Sequence, residues 1–259
     1  MLAFFRKIRL KLAFENKPLK YFRYAVGEIF LVVIGILIAL SINNWNNSRI
    51  KNNNAIALSK RLLVETKKNK KQLEYQMNRV KELQEETKSL LNMFGPDYKE
   101  KSSKLLDSLL YGLISTPLYE FNESTLTEGL NTGQISSLPS DSLRTLLYDI
   151  PRRMIRINNY EEEMTRDIEN NIMHFLYNEI SLRQVDERFS DKLKPNEESR
   201  LKRFDNRVIL TMKKFENMVD NKYFLLQTLQ YGYDDMFVIL NKTIDKIEES
   251  LASKEMDDD

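Results

Sequence analysis

Residues Tyr24–Ile42 read YAVGEIFLVVIGILIALSI, and how that stretch is read decides the architecture. As a helix, these 19 residues rise roughly 28 Å, close to the ~30 Å hydrocarbon core of a bilayer. No polar side chain interrupts the run from Ile29 to Leu40. A core helix of a soluble domain carries an apolar stripe, whereas this stretch is apolar on every face. Tyr21, Phe22 and Tyr24 stand at one end, and Trp45, the single Trp of the chain, stands at the other. Such amphipathic rings favour the headgroup level. The sequence therefore predicts a transmembrane segment over residues 21–45, in contact with a lipid bilayer.

Charge orients it. Arg6, Lys7, Arg9, Lys11, Lys17, Lys20 and Arg23 precede the span against one acid, Glu15. The residues just after it offer only Arg49 and Lys51. The positive-inside rule puts the N-terminus in the cytoplasm and the bulk of the chain outside. The formal net charge of +2 hides this partition: from residue 46 onward, 33 basic residues face 36 acidic ones. That near balance argues against a nucleic-acid partner. The apolar run exceeds the 7–15 residues of a cleaved signal's core, so it reads as a signal-anchor. The expected location is a bacterial inner membrane with a periplasmic C-terminal domain. With no cysteine, that domain lacks disulfides, thiol catalysis and thiolate metal sites, and packing alone must hold it.

Outward from the span, the chain is patterned for helices. Residues 1–20 form a basic tail, with Phe4, Phe5, Ile8 and Leu12 roughly on one face, as in an interfacial helix. Residues 46–94 carry a thin apolar stripe of the coiled-coil kind, with a possible interruption in the Asn-rich stretch, and Gly95-Pro96-Asp97 closes it. Leu105, Leu106, Leu109, Leu110, Leu113 and Ile114 predict a short buried helix ended by Pro117. Thr125-x-x-Glu128 has capping-box spacing and opens another, stopped by Gly129 or Gly133. A long helix starts at Pro139-Ser140 and is kinked or restarted at Pro151. Residues 186–203 read as a charged connection, and Phe204–Leu251 as the last long helix before an acidic tail over 252–259. No run alternates with period two. The fold class is all-α: one N-terminal transmembrane helix extending into an antiparallel periplasmic helical bundle over 46–251.

Chemistry is sparse. His174 is the only histidine and has no second histidine with which to hold a metal. Glu161-Glu162-Glu163 with Asp167 are acids that a helix points in different directions, which suits solvent better than a cation. Lys67, Lys68, Lys70 and Lys71 read as a solvated face. No phosphate loop, dinucleotide fingerprint or HExxH motif occurs. The expectation is a protein without cofactor, metal or catalytic residues, and not an enzyme. Two features of the span stand out. Glu28 places a carboxyl group inside the apolar run, suited to headgroups or a partner helix. Gly35-x-x-x-Ala39 has the small-residue spacing that lets two helices approach closely.

Residues 4–47, FFRKIRLKLAFENKPLKYFRYAVGEIFLVVIGILIALSINNWNN, resemble the N-terminal signature of a family of single-pass membrane proteins from Bacteroidetes-type bacteria, grouped as a domain of unknown function. Gly27-Glu28-Ile29, the VVIGILIAL run and Ile42-Asn43-Asn44-Trp45 carry the likeness, and Leu126–Leu147 is similar more loosely. The resemblance implies a membrane anchor with a helical periplasmic domain, and brings no activity and no catalytic residues. The function these readings predict is an interaction or scaffold protein, partnered by another membrane or periplasmic protein or by itself. The alternatives are a ligand-sensing bundle that signals through a partner, and an envelope enzyme.

Overall fold

The computed structural model describes residues 18–189 and 201–257. Every regular element among them is helical. The chain divides after Ala57 into two compact units, considered in turn.

The first unit holds the start of α1 (Pro18–Leu91). Pro18 is its first residue, where a missing N–H costs nothing because the first turn has no intrahelical acceptor for it. The helix continues outward through the Asn-rich stretch, where no Gly or Pro stands to break it. Phe22, Val26 and nearly every apolar side chain from Ile29 to Ile42 are exposed.

The second unit, from Leu58 onward, is built as four legs. The first is the remainder of α1. The second runs back beside it as α2 (Ser103–Leu113), an extended segment, and α3 (Ser124–Asn131). The third is α4 (Asp141–Asp167), a π-helical turn (Ile168–Ile172) and α5 (Met173–Glu179). After α6 (Leu182–Phe189), the fourth is α7 (Lys213–Asp257). Cross-contacts fix the directions. Lys67 pairs with Glu248, and Gln84 donates to the Leu226 carbonyl, so α7 runs antiparallel to α1. Arg153 of α4 meets Asp235, and Gly232 meets Ile157, so α4 and α7 are antiparallel as well. Glu86 lies over Gly112 while Leu58 reaches Gly129, so the second leg descends along α1.

The core is the sum of helical stripes: Leu58, Leu62, Leu73, Val80, Leu83 and Leu90 from α1, Leu143 to Met164 from α4, and Phe215 to Ile247 from α7. At one end Phe175 stacks on Phe215 with centroids 5.3 Å apart, and Phe94 packs on the same ring at 5.5 Å. Met164, Ile168, Ile172 and Leu176 are all buried at steps of four. On an α-helix each such step drifts about 40° around the axis. The wider π turn takes up that drift and keeps all four on the core.

Local signals held where they were strong. Ser140 caps α4 by accepting from the Leu143 amide, and Ser102 caps α2 through Leu105. Gly95, at φ +140°, ends the first leg, and its amide donates to the Leu210 carbonyl. Several expectations are corrected. Pro151 lies inside α4 without restarting it. Leu105 is exposed, on the outer face of α2, opposite the buried Leu106, Leu109 and Leu110. The charged connection starts inside a helix, α6, which covers its residues 186–189 and whose Val185, just before it, is buried, while residues 190–200 lie outside the described residues. The last helix begins at Lys213, preceded by a 3-10 turn (Asn206–Thr211), and continues to Asp257, so the acidic residues 252–257 are helical backbone.

Candidate functional site

Two regions have chemistry to offer, and each is built by one feature of the sequence. The first is the apolar part of α1. Glu28 is half-buried in a shallow depression with Ala25, Ile29, Val32 and Val33. Around Gly35 a Cβ would meet nothing within 4 Å, and Ala39 is exposed, so the small-residue face is open. Arg49, one turn after Trp45, sets its guanidinium 5.4 Å from the indole centroid. Arg23 is exposed, and Lys20, Tyr21 and Tyr24 lie on the helical backbone. Arg6, Lys7, Arg9, Lys11 and Lys17 fall outside the described residues.

The second region is the break in the second leg, between α2 and α3. The extended segment from Ile114 to Glu123 has no helical ladder, so its backbone groups need other partners. Three buried side chains, one from each of the other legs, supply them, and a fourth serves the start of α3. Lys222 of α7, fully buried, donates to the Ser115 carbonyl at 2.7 Å. Glu161 of α4 accepts from the Tyr119 amide at 2.9 Å and from the Tyr233 hydroxyl at 2.6 Å, both on Oε1. Asn69 of α1 closes a two-point clasp on Asn122, giving 2.7 Å to its carbonyl and taking 3.0 Å from its amide. Glu65, also from α1, accepts from the amides of Thr125 and Leu126 at 2.7 and 3.1 Å.

This last contact corrects the capping-box reading. Thr125 is the second residue of α3, and its partner Glu128 pairs with Arg61 instead. The orphan amides at the helix start are satisfied from another helix, which leaves the local motif without a task. The acidic run is corrected too. Glu162 and Glu163 face solvent, but Glu161 points into the core.

Burial sets the electrostatics. The Glu161 carboxyl is held above its ordinary value by loss of water, partly offset by the Tyr233 and Tyr119 donors. Tyr119 and Tyr233, whose rings meet edge-on at 6.1 Å, are pushed well above the usual phenol range. Desolvation lowers Lys222 to about 7, with Asp167 of α4 pulling the other way. Asp167 accepts on Oδ1 from the Asn171 side-chain amide, while its Oδ2 is buried without a hydrogen-bond partner. A groove of about 410 Å³, lined by Leu118, Asn158, Glu161, Glu162, Thr165 and Arg166, opens beside the Glu161 end.

The remaining residues singled out from sequence are scattered. His174 is exposed on α5. Lys67 pairs with Glu248, Lys70 lies 5.4 Å from the Phe237 ring centroid, and Lys68 and Lys71 are solvated. Among the described residues no group of acids and histidine is placed to hold a metal ion. Sequence reasoning missed Glu65, Asn69, Tyr119, Lys222 and Tyr233. A signal existed: Glu65 and Asn69 continue the stripe of Leu58, Leu62 and Leu73, and Lys222 stands between Val219 and Leu226. A polar residue on a core stripe marks a buried group with a partner to find.

Fold and site together define an all-helical protein with one helix long and apolar enough to cross a membrane and a polar layer that fastens a broken leg of its bundle. The chain belongs to the family of unknown function DUF6090, whose profile matches residues 28–184. That stretch includes Glu65, Asn69, Glu161 and Asp167, and ends before α7. No curated protein and no solved structure matches the chain.

Proposed function

We propose that this protein is a single-pass membrane protein of a bacterial inner membrane of the Bacteroidetes type. Its N-terminus is cytoplasmic, and its helical domain works in the periplasm as an interaction or scaffold module. The observation that carries the reading is the apolar stretch of α1, long enough to cross a membrane and with no residue buried within the fold. An exposed apolar surface of that length requires lipid or another protein around it. The basic residues before the span favour the orientation. Glu28, Gly35 and Ala39 share its open side and serve as the contact face for a partner helix, whether another membrane protein or a second copy.

The same reading takes the protein as non-enzymatic and free of cofactor. The buried ionisable groups that would raise an enzymatic reading bind the protein's own backbone: Lys222 holds Ser115, Glu161 holds Tyr119, and Glu65 holds Thr125 and Leu126. A sensing role has one feature in its favour, the groove beside Glu161. Crosslinking in living cells followed by affinity capture tests the main reading. Reproducible capture of one envelope protein, or of a second copy, is the expected result. Recovery of uncrosslinked monomer alone would defeat it. A topology reporter fused after Asp259 should be active only on the periplasmic side.

A further inference from the structure

The break between α2 and α3 is held at its upstream end by Lys222, a contact that depends on a proton. Its ammonium has three N–H donors, and Ser115 supplies one acceptor at 2.7 Å. Lys222 is fully buried. Asp167 attracts the ammonium from α4 without making an ion pair with it. The carboxylate's Oδ2 is buried with no hydrogen-bond partner, at the position where α4 passes into the π turn. Among the described residues, Asp167 is the charged group that acts on Lys222. Tyr111 of α2 donates to Asp186, its pKa pushed up to about 12 mainly by that bond, and stays neutral. Glu86 of α1 lies over Gly112 and reaches Arg79 at 3.7 Å. Glu161 is engaged by Tyr119 and Tyr233.

A neutral amine satisfies this site well, because one hydrogen bond to Ser115 suffices and nothing charged is buried. A charged ammonium leaves two donors without acceptors and keeps a poorly compensated charge out of water. The segment it holds is the part of the second leg that depends on other elements for its hydrogen bonds. It has no helical ladder, Pro117 has no N–H to give, and Leu118 already projects into solvent. We propose that Lys222, with Asp167 behind it, is a proton-linked latch on the second leg: neutral, it keeps the segment from Ser115 to Asn122 docked, and charged, it releases that segment to water. The latch makes docking of the broken leg sensitive to the acidity of the compartment around the domain, and it stands independently of which partner the domain meets.

The linkage has a definite direction. Released, Lys222 returns to its ordinary value of 10.5, against about 7 when docked. Opening therefore grows about tenfold for each pH unit as pH falls between those limits, and levels off below the docked value. Amide hydrogen exchange on the full chain in detergent micelles, corrected for the intrinsic exchange rate, reads this directly. Opening at the Tyr119 and Asn122 amides should rise about tenfold per unit from about pH 9.5 to about pH 7.5 and flatten near pH 6.5. The amides of Met164 and Leu229, in the α4–α7 interface, should not follow.

Lys222→Met keeps the volume and removes the proton, so the slope should vanish. Asp167→Asn removes the charge that favours the ammonium, so the levelling point should move to lower pH. Exchange at Tyr119 and Asn122 that ignores pH in the wild type overturns the latch. So does a slope that survives in Lys222→Met, or one shared equally by Met164 and Leu229. Should Lys222→Met fail to fold, an unmoved levelling point in Asp167→Asn overturns it alone.

Discussion

Glu161 is an acid that the core needs as an acceptor more than as a charge. Its Oε1 serves both the Tyr119 amide and the Tyr233 hydroxyl, two donors that are themselves buried. Glu161→Gln keeps that acceptor and should leave the fold nearly intact. Glu161→Leu strands both donors, and at about 1–3 kcal/mol for each should cost about 2–6 kcal/mol in chemical denaturation. The pH dependence separates charge from hydrogen bonding. The folded-state pKa of Glu161 is raised above 4.5, so its favourable contribution is complete below that value and is lost as pH rises through the folded pKa. Wild type should therefore lose stability relative to Glu161→Gln as pH rises above 4.5. A constant difference between the two would show that the carboxyl does not titrate in this environment. In the sequence, Glu161 stands on the same stripe as Ile157 and Met164, yet its two acidic neighbours made the whole run look solvated.

At the scale of elements, the second leg depends on side chains it does not own. α3 is eight residues long, too short to persist alone, and Glu65 covers its first free amides. Glu65→Ala should destabilise the domain by about 1–3 kcal/mol and speed amide exchange throughout α3. Unchanged protection of Leu126 and Thr127 would remove Glu65 from that role. The third and fourth legs meet closely at Gly232, where a Cβ would lie 3.1 Å from Tyr160 Cδ2 and 3.5 Å from Ile157 Cγ1. Gly232→Leu should cost about 1–3 kcal/mol through overpacking. A thermal melt equal to wild type would mean that the two helices part without cost. Elements with strong local signals were legible in advance: Ser140 opens α4, and Gly95 closes the first leg. α6 was not legible, because it is about two turns long and its buried Val185 stands directly among polar and charged residues.

For the whole molecule, the consequence of two units is that membrane attachment and domain folding should be separable. A chain lacking residues 1–45 should leave the membrane fraction and retain a cooperative helical melt by circular dichroism. Loss of helicity in that chain would tie the bundle's stability to the span. The apolar run, the charge partition and the helical stripes were all written in the sequence, because each follows from local composition or from a periodicity of three to four residues. Tertiary structure alone decided what the polar residues on those stripes do. Lys222 finds Ser115 at a separation of 107 residues, Glu161 finds Tyr233 at 72, and Glu65 finds Thr125 at 60. A buried polar group must have a partner, but only the packing of the four legs determines which backbone atom comes within 3 Å of it.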